Sequence, residues 1–172
     1  MKLKFAVAVM AVSGLLAGCA TNGMRAPRYV LKTPFAAADF APWTGQGDGI
    51  VHGQAFLKTV GGEVRTCAGE PVTLLPATPY NLELVSAVRA HKEPIDGRDA
   101  RADAYIHETV CDAQGNFSFA HLPEKKWIVW ANVKWGVPME YGISEQGGRL
   151  IREVDASPDA PVIILTAADS VD

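Results

Sequence analysis

From Gly49 onward the chain is a series of short apolar or alternating runs separated by turn residues. Such runs occur at 50–57 (IVHGQAFL), 71–76 (PVTLLP), 104–111 (AYIHETVC), 116–119 (NFSF), 127–135 (WIVWANVKW), 149–154 (RLIREV) and 161–166 (PVIILT). Successive side chains leave a strand on opposite faces, so this pattern predicts half-buried strands. Gly61-Gly62, Gln114-Gly115 and Gly147-Gly148 fall between the runs and predict turns. Strands at this spacing predict an all-β fold, a two-sheet sandwich of about seven strands.

One segment breaks the rhythm. In TPYNLELVSAVRAHKE, Thr78 suits an N-cap, Pro79 suits the first helical position, and Leu82, Val85 and Val88 recur at spacings of three. A short inserted helix is predicted there, followed by an exposed loop in the charged stretch PIDGRDARAD. Residues 20–48 carry Pro27, Pro34 and Pro42 without a sustained period, which predicts a tether. Its aromatics Tyr29, Phe35, Phe40 and Trp43 are too many for a spacer, so part of it, around FAAADFAPW, is expected to pack back on the domain.

The first residues place Lys2 and Lys4 before an apolar run from Phe5 to Leu16. That is the build of a secretory signal peptide, and the run is short of the roughly 20 residues that span a bilayer. The residues that follow, Leu16-Ala17-Gly18-Cys19, resemble the bacterial lipobox. The resemblance implies cleavage before Cys19, a diacylglycerol thioether on its sulfur, and a membrane partner held through the lipid. Ala20 in the next position implies sorting to the outer membrane, facing the periplasm. The expected organisation is a signal peptide at 1–18, a lipidated tether at 19–48 and one domain at 49–172.

Charge narrows the partners. Removing Lys2 and Lys4 from 16 basic residues leaves 14 against 19 acidic ones, a net of −5, which argues against nucleic acid. With Cys19 lipidated, Cys67 and Cys111 remain as an even pair in an oxidising compartment. A disulfide is the favoured reading and two buried thiols the alternative. Neither cysteine lies in a C-x-x-C or beside a histidine, so no metal site is expected.

The stretch TVCDAQGNFSFAHLP resembles the carboxypeptidase regulatory-like domains, small transthyretin-like β-sandwiches. Gly49-Ile50-Val51-His52-Gly53 matches their opening strand and Gly69-Glu70-Pro71-Val72 their second element. Thr109, Asp112, Gly115, Phe117, Phe119, Leu122 and Pro123 match the third. The resemblance spans most of 49–135 and implies a non-catalytic module. Two features depart from it: Lys125-Lys126 stands where the family has Gly, and the helix with its charged loop exceeds the minimal domain. The transthyretin-like hydroxyisourate hydrolase has a Tyr-Arg-Gly-Ser ending, whereas this chain ends Asp169-Ser170-Val171-Asp172.

Catalytic constellations are sparse, and no cofactor is expected. Ser144, in Gly142-Ile143-Ser144-Glu145-Gln146, lacks the second glycine of a nucleophile elbow and reads as a turn serine. His52, His91, His107 and His121 have no metal-ligand spacing. A hydrolase would need two of His52, His107, Glu108 and Asp112 to converge in a cleft, with His52 and His107 sharing a sheet face. The more direct candidate is binding. In WIVWANVKW, alternation sends Trp127, Val129, Ala131, Val133 and Trp135 to the core, and Ile128, Trp130, Asn132 and Lys134 to the other side. Trp130, Asn132 and Lys134 are the binding candidates, for a glycan or an envelope protein, unless the inserted helix or the tether covers Trp130. The sequence therefore predicts an envelope-anchored adaptor or structural module, with a carbohydrate- or peptidoglycan-binding module as the alternative and a hydrolase as the third reading. Cys19→Ser is expected to abolish acyl labelling and membrane fractionation, since serine forms no thioether; membrane retention of the variant would refute the anchor.

Overall fold

The alternating runs pair into two sheets whose apolar sides face each other. A computed structural model describes residues 28–92 and 95–171; Cys19 and the signal peptide lie outside the described residues. The first sheet centres on β2 (Gly49–Lys58), which pairs antiparallel with β3 (Val64–Thr66) and β7 (Asn116–Leu122) and parallel with β10 (Ile163–Leu165). The second has the order β6 (His107–Val110), β4 (Pro71–Pro76), β8 (Lys126–Met139), β9 (Gly142–Asp155), all antiparallel. Two short strands, β1 (Tyr29–Val30) and β5 (Ile95–Asp96), pair parallel outside the sandwich. The described residues thus hold ten strands rather than about seven, because β1, β3 and β5 are too short to show a period.

Between the sheets, Val51, Ala55, Phe117, Phe119 and Leu165 meet Val72, Leu74, Trp127, Val129, Ala131, Val133 and Leu150, all buried. Phe117 and Phe119 share the inward face two residues apart, opposite Gly53 and Val51 of β2. The turn before them depends on Asp112. Its carboxylate accepts from the Gln114 and Asn116 amides, each at 2.8 Å, and from the Asn116 side chain at 2.9 Å. The Asn116 side chain and then its amide draw the Asp112 pKa below the usual carboxylate value. Gly115 closes the turn at φ +83°, and an added Cβ would lie 2.7 Å from Thr66 Cβ, so a side chain there is excluded twice.

Cys67 and Cys111 form the disulfide, with Cα atoms 5.7 Å apart. One follows β3 of the first sheet and the other follows β6 of the second, so the bond ties the sheets at one end. Closing a loop of this separation, 44 residues, stabilises by about 4 kcal/mol on the chain-entropy account.

The inserted helix is α2 (Pro79–Arg89), which Thr78 caps through its side-chain oxygen, with Pro79 in the first turn. Buried Asn81 donates from Nδ2 to Pro76 O at 2.9 Å and fixes the helix to the end of β4. Its buried positions differ from the expected stripe: Leu82 is exposed, while Tyr80, Leu84, Val85, Ala87 and Val88 are buried. The reason is that α2 has two apolar contacts. Val85 and Val88 pack on Leu75, Ile128 and Ile151 of the second sheet, and Tyr80 and Leu84 pack on Leu31 and Phe40.

The stretch FAAADFAPW packs on the domain as expected, with α1 (Ala37–Phe40) carrying the fully buried Phe40, and the packing extends back to β1, which pairs with β5. Several other expectations are corrected. The run 104–111 is divided between a 3-10 segment, Ala100–Tyr105, and β6. In the stretch PIDGRDARAD, the Arg98, Arg101 and Asp103 side chains are exposed, but Ala102 is buried and Ile95 joins the apolar clusters. Gly147-Gly148 and Ser144 lie within β9, not in a turn, because β8 and β9 pair as far as Met139 and Gly142. His52 and His107 stand in different sheets and share no face. Among the described residues no helix is long and apolar enough to cross a membrane.

One carboxylate gathers several polar contacts of the N-terminal segment. Glu83 of α2 accepts from the Lys32 amide at 2.9 Å, the Thr33 amide at 2.6 Å and Tyr29 Oη at 2.8 Å. The Thr33 side chain foremost, then the Lys32 and Thr33 amides, lower its pKa from 4.5 to about 2. A depressed carboxyl pKa contributes stability that is present above the unfolded value and lost as pH falls through the folded one. The segment is therefore expected to loosen between about pH 4.5 and pH 2, and Glu83→Gln to loosen it at neutral pH, read as faster exchange of the Lys32 and Thr33 amides. Phe119→Ala is expected to cost about 3 to 5 kcal/mol in urea denaturation; a loss under about 1 kcal/mol would place the ring outside the core.

Candidate functional site

β8 is apolar on both sides through its first half, and the outward side carries the candidate site. Trp127, Val129, Ala131 and Val133 face the sandwich and are fully buried. On the other face Ile128 is also fully buried, beneath α2, whereas Trp130 and Asn132 are half-buried and Lys134 is exposed. The helix thus covers the outer face of the sheet up to Trp130 and stops there. One part of the indole joins the Ile128–Ile151–Val88 cluster, and the rest lines a groove.

Strand register assembles the groove. Glu108 of β6 stands opposite Thr73 of β4, Thr73 opposite Trp130, and Trp130 opposite Ile151 of β9. Facing side chains on neighbouring strands have Cβ atoms about 5 Å apart, so Glu108, Thr73 and Trp130 form one transverse row of carboxylate, hydroxyl and indole. Asn132 follows Trp130 on the same face, and Leu84, Val88, Ile95, Arg98 and Ile106 supply the wall. The hollow has a volume of about 450 Å³, within the range of small-ligand sites.

The polar groups of this row are free to bond a ligand. Among the described residues the side chains of Thr73, Glu108 and Asn132 make no hydrogen bond or ion pair with another protein group. Arg98 is engaged, its Nη2 donating to Asp103 Oδ1 at 2.9 Å, and the pair sits at the rim with both side chains about half exposed. Lys134 lies farther along and pairs with Glu145 at 3.3 Å. Trp130 and Asn132 therefore meet in the groove, and Lys134 falls outside it.

Alternation in PVTLLP carried a signal for Thr73: it is the polar residue between Val72 and Leu74, on the face that also carries Leu75. Arg98 was missed, since its placement comes from the fold of the 95–106 segment and not from any period.

The groups a hydrolase would need do not converge. His107 lies edge-on to the Trp127 ring at 5.3 Å, burial lowers its pKa, and it points away from the face that carries Glu108. Asp112 is engaged in its turn and His52 belongs to the first sheet. Among the described residues no three His, Cys, Asp or Glu side chains cluster as a metal site. A second hollow, of about 480 Å³, lies beside Arg89, Arg152 and Asp169, and these three side chains are already engaged. Arg152 donates to Asp169 at 2.6 and 2.7 Å, and Arg89 donates to Ile151 O at 3.1 Å.

Sandwich and groove together define an all-β domain with an open aromatic and polar hollow on its helix-capped sheet. The fold is shared with the crystal structure of a candidate carbohydrate-binding protein from Pseudomonas aeruginosa, which superposes with a TM-score of 0.65 over 78% of this chain and 98% of that one at 22% identity. No family model and no curated protein sequence matches the chain.

Proposed function

We propose that the protein is a non-catalytic saccharide-binding domain, carried on an envelope lipoprotein through Cys19 and so joining the outer membrane to a glycan. The observation that carries this reading is the row Glu108–Thr73–Trp130 with Asn132 beside it. A pyranose has one face of C–H groups and a rim of hydroxyls. An indole half out of the core desolvates the first, while a carboxylate, a hydroxyl and an amide without protein partners bond the second. The structural neighbour from Pseudomonas aeruginosa, described in the same terms, supports the reading at the level of the fold. The lipobox and the resemblance to the regulatory-like domains support the anchored, non-catalytic character.

The site makes separable demands on binding and stability. Asn132→Ala and Glu108→Gln are expected to lower saccharide affinity in titration calorimetry by about tenfold, or about 1.4 kcal/mol, without shifting the melting temperature, because neither side chain supports the fold. Trp130→Ala is expected to remove binding and also to cost about 1 to 3 kcal/mol of stability, less than a fully buried tryptophan, since only part of the ring is packed. Unchanged affinity in all three variants would refute the groove as the binding site.

A further inference from the structure

The outward face of β8 continues past the groove. Asn132 pairs in register with Arg149, Lys134 with Gly147 and Gly136 with Glu145. These residues enclose a hollow of about 330 Å³, lined by Asn132, Lys134, Glu145, Gln146, Gly147 and Arg149. Asn132 lines this hollow and the Trp130 groove alike, so the two are consecutive stretches of one trough.

The far stretch has a floor of backbone. Gly147 sits at φ +134°, and an added Cβ would collide with the Val133 carbonyl, so only glycine fits where β9 pairs beside Lys134 of β8. The wall is the exposed Lys134–Glu145 pair, whose charges cancel. This stretch offers donors and acceptors but no aromatic face; the Lys134 and Glu145 charges offset each other, and the Arg149 side chain is itself engaged within the protein. At about 3.3 Å per residue, Trp130 and Lys134 stand about 13 Å apart along the strand, longer than one sugar ring.

We propose that the trough takes a linear, uncharged oligosaccharide, with one ring stacked on Trp130 and the following units running along β8, over Gly147, to the Lys134–Glu145 pair. This rests on the saccharide reading of the Trp130 groove and adds to it a second subsite and a preference for chain length. Trp130 supplies hydrophobic contact at one end, and the far stretch supplies only hydrogen bonds, so it acts on a chain already held at the indole.

The test is titration calorimetry of the purified full chain with three series of probes: cello-oligosaccharides, chito-oligosaccharides and oligogalacturonates, each as mono-, di- and tetrasaccharide. Affinity is expected to rise about tenfold or more from mono- to tetrasaccharide in a neutral series. The double variant Lys134→Ala, Glu145→Ala, checked for an unchanged melting temperature, is expected to bring the tetrasaccharide down to the wild-type monosaccharide affinity. Binding without any gain with length, a gain that survives the double variant, or a gain confined to the oligogalacturonates would each overturn the two-subsite proposal and leave the Trp130 groove standing. No binding in any series would overturn both.

Discussion

A strand that buries side chains on both faces requires two covers, and β8 is such a strand. Trp127, Ile128 and Val129 are all fully buried, two toward the sandwich and one away from it. The first sheet supplies one cover and α2 the other. Covering Ile128 then creates the next requirement, because α2 is itself apolar on a second side. Tyr80 and Leu84 have to be covered in turn, and Leu31, Phe35 and Phe40 of the N-terminal segment do so. Each layer exists because the one beneath it leaves apolar surface that water would otherwise meet. The last layer is also fastened by polar bonds, from the Lys32 and Thr33 amides to Glu83 and from Arg28 to Asp96.

The functional proposal sits where this succession of covers ends. α2 reaches as far as Ile128, so Trp130 is left with one part packed and the rest open. Were the helix longer, the indole would be core. Without the helix, Ile128 and Ile151 would lie bare beside it as an apolar patch with no reason to prefer a sugar. The helix end also brings the 95–106 segment back over the sheet, placing Ile95, Ile106 and Arg98 against the aromatic. Geometry that serves burial therefore also gives the hollow its mixed apolar and polar wall.

Much of this was legible in the chain. Period two located β2, β4, β7 and β8, Thr78-Pro79 located the start of α2, and parity of the cysteines located the disulfide. The outward set from Ile128 to Lys134 was read correctly as a face but not as a gradient from buried to exposed, since alternation assigns sides and says nothing of what lies on them. Spacings of three put Leu82 on one face with Val85 and Val88; because α2 has two apolar contacts, the buried surface turns toward Leu84 and Tyr80 instead. The first half of β9 was invisible for another reason. Gly142, Ser144, Glu145, Gly147 and Gly148 have poor strand propensity, and only pairing with β8 makes them a strand. The N-terminal segment read as a tether because its contacts are long-range and its own elements span at most four residues.

The disulfide has a meaning beyond stability. Everything that shapes the groove apart from Trp130 and Asn132, namely Thr73, Leu75, α2, Ile95, Arg98, Ile106 and Glu108, lies between Cys67 and Cys111. The covalent link makes that interval a closed cassette, clamped at its ends and laid against β8. Lengthening a closed loop costs only about 0.6 kcal/mol per doubling. Insertions and replacements between β4 and β6 can therefore rewrite the wall of the groove while β2, β7, β8, β9 and β10, which lie outside the cassette, keep their registers. In evolutionary terms, the bond separates the part of the chain that shapes the groove from most of the part that specifies the fold.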